Sequence, residues 1–192
     1  MEIDRKRLGK RNKALGRRFE KLTRINLESQ GFIVSRWMNN VEFIRCESCK
    51  GSPAKLKQFS PDGLPYYYCS TECETKHFEE SIKKGIVWRH LPGELSNDYA
   101  ILTPSKQGYF RLVSTGFPDF VSIQHVNGDL YQVIGVESKC SGKLDRIEKL
   151  KCEYLLNNKI FSNIYIAFPE KVGRKTVVKY KDFQTKEIKE VI

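Results

Sequence analysis

The sequence predicts an α/β fold: a central mixed sheet flanked by helices, interrupted by a small cysteine-bearing module. Three observations carry that expectation. Two short apolar runs, at 116–123 and 131–139, flank Asn127-Gly128-Asp129 and read as a β-hairpin. On either side lie helix-period segments and further apolar runs, giving the order helix, strand, hairpin, helix, strand. Between the first strand and the hairpin stand two cysteine pairs, Cys46-x₂-Cys49 and Cys69-x₃-Cys73.

In chain order, residues 12–30 read as a helix, because Leu15, Phe19, Leu22 and Ile25 or Asn26 recur at helical spacing and Gly31 supplies a C-terminal stop. Residues 31–37 form the first strand. The segment 84–107 is weakly patterned: 86–88 and 100–102 read as short strands, 91–93 and 103–105 as turns, and His90 has no evident partner. Residues 109–113 read as a short strand leading into the Ser114-Thr115-Gly116 turn. After Lys139 comes a helix over 143–157 with Leu144, Ile147, Leu150 and Tyr154 on one face, then a strand at 161–168 and an edge strand at 176–180. A strand, helix, strand run of this kind suits a right-handed parallel crossover. Cys140 and Cys152 read as small buried hydrophobes, and His125 takes no catalytic role.

The hairpin carries the candidate reaction site. If residues 127–129 form a three-residue loop, Val126 pairs with Leu130, and counting back along both strands puts Asp119 opposite Glu137. Facing side chains sit roughly 5 Å apart at Cβ, close enough for two carboxylates to share one divalent ion. A two-residue loop would put them on opposite faces unless a bulge restores the count. Glu137 and Lys139 are two apart on a strand and face the same way. Two carboxylates suit Mg²⁺, which keeps several waters, and an adjacent lysine can serve the attacking water or the phosphate charge. Glu-x-Lys also occurs at 74–76 and 187–189, and Pro-Asp at 61–62, where Pro61-Asp62-Gly63 reads as a plain turn; only Asp119 and Glu137-x-Lys139 are joined by a hairpin.

The cysteine pairs, 19 residues apart, fit a four-thiolate structural zinc site formed by Cys46, Cys49, Cys69 and Cys73. Lys50-Gly51-Ser52-Pro53 follows the first pair as a tight knuckle would. Tyr66-Tyr67-Tyr68-Cys69-Ser70 reads as a strand entering a helix, with Cys73 in the first turn and the helix running toward Ile82. His77 reads as a surface residue, since four thiolates already close a tetrahedron.

Composition sets the remaining bounds. A chain of 192 residues, 40% apolar, can bury one main core with a small appended module. The formal charge of +11 points to a polyanionic partner, nucleic acid first. Residues 1–24 hold ten Lys or Arg against Glu2, Asp4 and Glu20, a net of +7. Residues 1–11 are accordingly read as a basic arm, either phosphate-contacting or a solvated disordered tail. No apolar run reaches the roughly 20 residues of a membrane span, and no apolar core follows the charged start to make a secretory signal. We expect a soluble cytoplasmic protein with no membrane partner, whose six cysteines bind metal rather than form disulfides.

Pro118-Asp119 and Glu137-Ser138-Lys139 together resemble the signature of the PD-(D/E)xK nuclease superfamily, with its restriction-endonuclease-like core. The likeness covers 12–37 and 108–170, and archaeal-type Holliday-junction resolvases are similar in outline. Tyr-Cys-Ser-x-x-Cys is similar to small treble-clef zinc fingers. The first resemblance implies a Mg²⁺- (or Mn²⁺-) dependent endodeoxyribonuclease in which Asp119 and Glu137 hold metal, Lys139 serves the water or phosphate, and Glu20 of Phe19-Glu20 assists. Glu20 reads equally well as an exposed partner of Arg17 or Arg24. The expected division is a nuclease core at 12–45 and 106–192 and a zinc insertion with connector at 46–105. The resolvase likeness implies duplex or branched DNA as substrate and a homodimer. A non-cleaving zinc-finger nucleic-acid binder and a restriction-type, repair-type or RNA-directed nuclease stay open beside it.

Overall fold

The computed structural model describes residues 5–50, 54, 56–59, 64–84, 94–95, 100–104, 107–108, 111–112 and 116–192. These form three helices, α1 (Arg5–Ser29), α2 (Thr71–Lys83) and α3 (Arg146–Asn157). Strands β1 (Ile33–Arg36), β2 (Asn39–Phe43), β3 (Leu56–Phe59) and β4 (Pro65–Tyr68) come first, then β5 (Glu94–Leu95), β6 (Ala100–Pro104), β7 (Gln107–Gly108) and β8 (Arg111–Leu112). The last five are β9 (Phe120–Asn127), β10 (Leu130–Ser138), β11 (Asn163–Val172), β12 (Lys175–Asp182) and β13 (Ile188–Lys189). The chain divides into two compact units, one comprising 1–40 with 104–192 and the other 41–103. The readings of 61–63, 86–88, 90 and 91–93 fall outside the described residues, as do parts of those at 50–53, 103–105 and 109–115.

The first unit is an α/β layer structure on a mixed six-stranded sheet in the order β1-β9-β10-β11-β12-β13. Only β10 and β11 run parallel, joined through α3 as the strand, helix, strand pattern requires. Every other pair in the sheet is antiparallel. One face of the sheet presents Val34, Phe120, Ile134, Val136, Tyr165 and Val178, and Phe19 and Leu27 of α1 complete this core. The opposite parity of β10 and β11 carries Glu137 and Ile166, and α3 packs on β11 from its buried Cys152 and Leu155. No helix among the described residues is long and apolar enough to cross a membrane.

Several details differ from the sequence reading. Helix α1 begins at Arg5, so described residues 5–11 of the expected arm are helical. Its buried stripe is Phe19, Thr23 and Leu27, with Leu22 half-buried, while Leu15 and Ile25 are exposed. The stripe is placed by what α1 meets: Tyr180 Oη donates to Asn26 Oδ1 at 2.6 Å and turns that side of the helix inward. The stop at Gly31 is as expected, with φ +89° and the Phe32 N–H reaching back to the Leu27 carbonyl. Helix α3 starts at 146 rather than 143, because Asp145 and Glu148 form a capping box there. Ile147 is consequently exposed. β12 is not an edge strand, since β13 pairs beyond it. Thr103 and Pro104 belong to β6 and not to a turn. Cys140 is exposed, whereas Cys152 is buried as expected.

In the second unit β4, β3 and β5 form a small sheet, and β2 pairs with β6. The β3–β4 hairpin pairs Leu56 with Tyr68 and Phe59 with Pro65. Helix α2 follows directly, with the Ser70 hydroxyl capping it at the Cys73 N–H.

Candidate active site and cysteine cluster

The hairpin reaches the expected register by the alternative route. Its turn has two residues, with Leu130 opposite Asn127, and the register then shifts so that Tyr131 faces His125. Val126 is the extra residue of a bulge, and the ladder continues unbroken to Val136 opposite Phe120. One step further, Asp119 and Glu137 face each other. They interlock through the backbone: Asp119 N–H donates to Glu137 Oε2 at 3.0 Å, and Ser138 N–H donates to Asp119 Oδ2 at 2.9 Å. Each carboxylate thus replaces a carbonyl as ladder acceptor and has its second oxygen left for other partners.

The loop carrying Asp119 is pressed against the chain after β1. Phe117 N–H donates to the Asn39 carbonyl at 2.9 Å, and Trp37 N–H to the Asp119 carbonyl at 3.1 Å. Gly116 makes this approach possible, since a Cβ there would lie 2.3 Å from the carbonyl oxygens of both Trp37 and Asn39. Below, the Trp37 and Phe161 rings meet edge-on at 5.1 Å.

Lys139 Nζ lies 3.0 Å from Glu137 Oε1 and 2.5 Å from Glu148 Oε1, so the lysine is held between a sheet carboxylate and the first turn of α3. Glu20 belongs to the same cluster. Its carboxylate takes Arg36 Nη2 at 3.1 Å, while Arg24, one of the partners expected for it, pairs with Glu28. Burial and the Asp119 charge push Glu137 up to about 8, against the pull of Lys139. Burial also raises Asp119; the Ser138 N–H opposes the rise and the Glu20 charge adds to it. Burial acts to lower Lys139, but Glu137 and Glu148 outweigh it and hold the ammonium above the usual lysine range. Four carboxylates crowd two cations here, and Glu137 is 6% exposed.

Glu20, Asp119, Glu137 and Lys139 are therefore brought together. Arg36 and Glu148 were not singled out from the sequence. Asp145-x-x-Glu148 has the spacing of a capping box, which would have placed Glu148 in the first turn of α3, beside the end of the Glu-x-Lys strand. Arg36 shares the parity of buried Val34 on β1 and carries no signal beyond that. His125 Nε2 donates locally, to the Gly128 carbonyl at 2.7 Å.

In the second unit the ligand atoms of Cys46, Cys49, Cys69 and Cys73 all lie within 4.8 Å of one another. The Cys49–Cys69 and Cys69–Cys73 sulfurs are 3.6 and 3.5 Å apart, too far for disulfide bonds at about 2.05 Å. Four thiolates about 2.3 Å from one zinc ion would be separated by about 3.8 Å, so the cluster is near the size such an ion demands. Lys50 N–H donates to the Cys46 carbonyl at 2.9 Å with Lys50 at φ 56°, which makes the knuckle. Burial alone would raise the Cys46 thiol, but the backbone N–H groups of Cys49, Cys69 and Ser48 bring it down to about 7. Burial and the neighbouring sulfurs push Cys69 up to about 12. A metal ion would replace the shared protons. His77 is not a surface residue: it is half-buried and bonded through Nδ1 to Tyr68 Oη at 2.9 Å. The cluster can hold a structural metal ion, and its donor set suits zinc.

Comparison with family models, curated proteins and solved structures yields no match.

Proposed function

We propose that this protein is a Mg²⁺-dependent endodeoxyribonuclease of the PD-(D/E)xK type, with a zinc-stabilised module interrupting its core. The observation that carries the reading is the interlock of Asp119 and Glu137 across one end of a hairpin, with Lys139 within 3.0 Å of Glu137. Each carboxylate is oriented by a backbone N–H from the facing strand, and Asp119 Oδ1 has no other hydrogen bond among the described residues. Two hard oxygen donors in a crowded anionic site fit a small divalent cation that keeps most of its waters. When bound, such an ion supplies charge neutralisation at the phosphodiester and a more acidic water.

The chain's own groups do the rest. Asp119 and Glu137 are the ligands, and Lys139 is a cation placed to contact a phosphate oxygen or orient the nucleophilic water. Glu148 holds that lysine in place. Glu20, set by Arg36, adds negative charge at the margin and is the assisting carboxylate. The surface that would meet DNA includes α1, whose residues 5–18 hold eight Lys or Arg and no acid. The resolvase-like variant of this reading adds branched DNA and a homodimer.

The test is Mg²⁺-dependent cleavage of a four-way junction beside a linear duplex of the same sequence, with mass measured in solution. Asp119→Asn and Lys139→Ala should each abolish cutting and leave binding intact; full activity in either would unseat the site. Equal rates on both substrates, or a monomer, would remove the resolvase variant only. Binding without cutting on every substrate would favour the non-cleaving binder.

A further inference from the structure

On the α3 side of the sheet, a cavity of about 360 Å³ opens between α3 and the turn joining β12 to β13. That is within the lower part of the range for small-ligand sites, which starts at about 300 Å³. Its walls carry Lys143, Lys149, Lys181 and Lys186 against Glu153 and Asp182, a balance of four positive charges to two negative. Ile166, Leu144 and Phe183 give it an apolar floor.

The two acids contribute unequally. Asp182 is 3% exposed and is consumed by its own turn, accepting the Gln184 and Thr185 N–H groups at 2.7 and 2.9 Å. Lys186 is engaged in that turn too, bonded to the Phe183 carbonyl and lying 4.2 Å from the centre of its ring. Lys143, Lys149 and Lys181 differ: their ammonium groups have no ion pair or hydrogen bond among the described residues. They come from three elements, the loop before α3, the first turns of α3, and β12. Cations gathered from separate elements onto an apolar floor, outnumbering the wall carboxylates Glu153 and Asp182 by four to two, form a receptor for a compact anion with an organic part.

The position says which anion. Ile166 of the cavity floor is the β11 partner of Glu137, and Lys149 of its wall adjoins Glu148, which holds Lys139, so the cavity borders the carboxylate site. Cys152, on the next turn, feels Glu137 and Glu148 as well as Lys186 and Glu153. We propose that this cavity is a phosphate-ester subsite, seating a phosphate of the bound strand beside the bond to be cut. The assignment rests on the nucleic-acid reading above for its ligand, and it adds a place where the strand is held apart from the place where it reacts.

The experiment measures binding of a fluorescent single-stranded oligonucleotide without divalent ions, over a range of salt, with and without a 5′-phosphate. The joint variant K143Q/K149Q/K181Q should weaken binding about tenfold and lower the salt slope by about one. K143R/K149R/K181R should bind as wild type, separating lost charge from misfolding. K159Q/K171Q/K175Q, removing the same charge from elsewhere on the first unit, should change little. Undiminished binding by the first variant, or an equal loss in the last, overturns the subsite. A gain from the 5′-phosphate that vanishes in the first variant identifies a strand end as the occupant, and no gain identifies an internal phosphodiester. Failure of the nuclease reading looks different: wild type binds, the lysine variant does not, and Mg²⁺ produces no cleavage. Absence of binding by wild type overturns both.

Discussion

Replacing Gly116 by alanine would put a methyl group where two backbone carbonyls already stand. The added carbon would lie 2.3 Å from Trp37 O and Asn39 O and 2.8 Å from Asn39 N, all main-chain atoms that no rotamer change can move aside. Contact would require these segments to part by about 1 Å, which overpacking data value at about 1–3 kcal/mol. Parting them also strains the Phe117-to-Asn39 and Trp37-to-Asp119 hydrogen bonds, worth about 1 kcal/mol each. The expected loss is therefore about 3–4 kcal/mol, or a fall in melting temperature of about 10 °C for a chain of this size. Urea and thermal unfolding followed by circular dichroism would measure it. Gly16→Ala is the control, because its Cβ meets nothing within 4 Å and the helix should gain about 1 kcal/mol. A Gly116→Ala protein within about 0.5 kcal/mol of wild type would refute the close approach and, with it, the account of how Asp119 is positioned.

Metal-free protein should lose stability as pH rises from Glu137's ordinary 4.5 toward about 8, because the folded state keeps a proton that the unfolded state gives up. Glu137→Gln should flatten that dependence in urea melts at pH 5 and pH 8; an unchanged slope would assign it to another group. By the same sign, Mg²⁺ should stabilise the protein more at pH 8 than at pH 6 and release protons on binding, which calorimetry in two buffers would detect. Chelating zinc should speed amide exchange in residues 46–82 and spare β9–β12, since a four-thiolate site contributes roughly 10 kcal/mol or more in small modules. Elemental analysis of reduced protein that finds no zinc would remove the metal from this account. Glu148→Gln keeps a capping-box acceptor but frees Lys139 of one carboxylate, so helix content should hold while the cleavage rate changes; an unchanged rate would show the contact to be incidental.

The sequence made some features legible because spacing alone fixes them. Counting sets Asp119 against Glu137 once a three-residue loop or a bulge is granted, and the cysteine pairs announce their cluster by count. The bulge at Val126 was foreseen as a condition but not as a location, since nothing distinguishes that valine from its neighbours on the strand. Helix faces were harder. Leu15 and Ile25 fit the helical period as well as Phe19 and Leu22 do, and only the partner surface, with Tyr180 reaching Asn26, decides between them. β13 is two residues long, too short to leave a periodic signal, so β12 looked like an edge. Arg36 and Glu148 were missed because an ion pair between distant elements leaves no local pattern. Cys140 was misread for a related reason: a thiol's burial depends on what covers it, and here the chain turns outward just after the sheet.

The bulge near the hairpin turn makes this site depend on arithmetic more than on chemistry. The exposed side chains between Phe120 and Val136 could change and the two carboxylates would still face each other. Removing one residue, or adding one, would turn a whole strand over and leave an aspartate and a glutamate back to back. Substitutions in the turn at Asn127, Gly128 or Asp129 should therefore be inexpensive beside a single deletion there. Length changes should be tolerated in pairs, or where Val126 is itself absorbed into or released from the ladder. The distance of the turn from the two carboxylates offers no protection, because parity is transmitted along the strand undiminished.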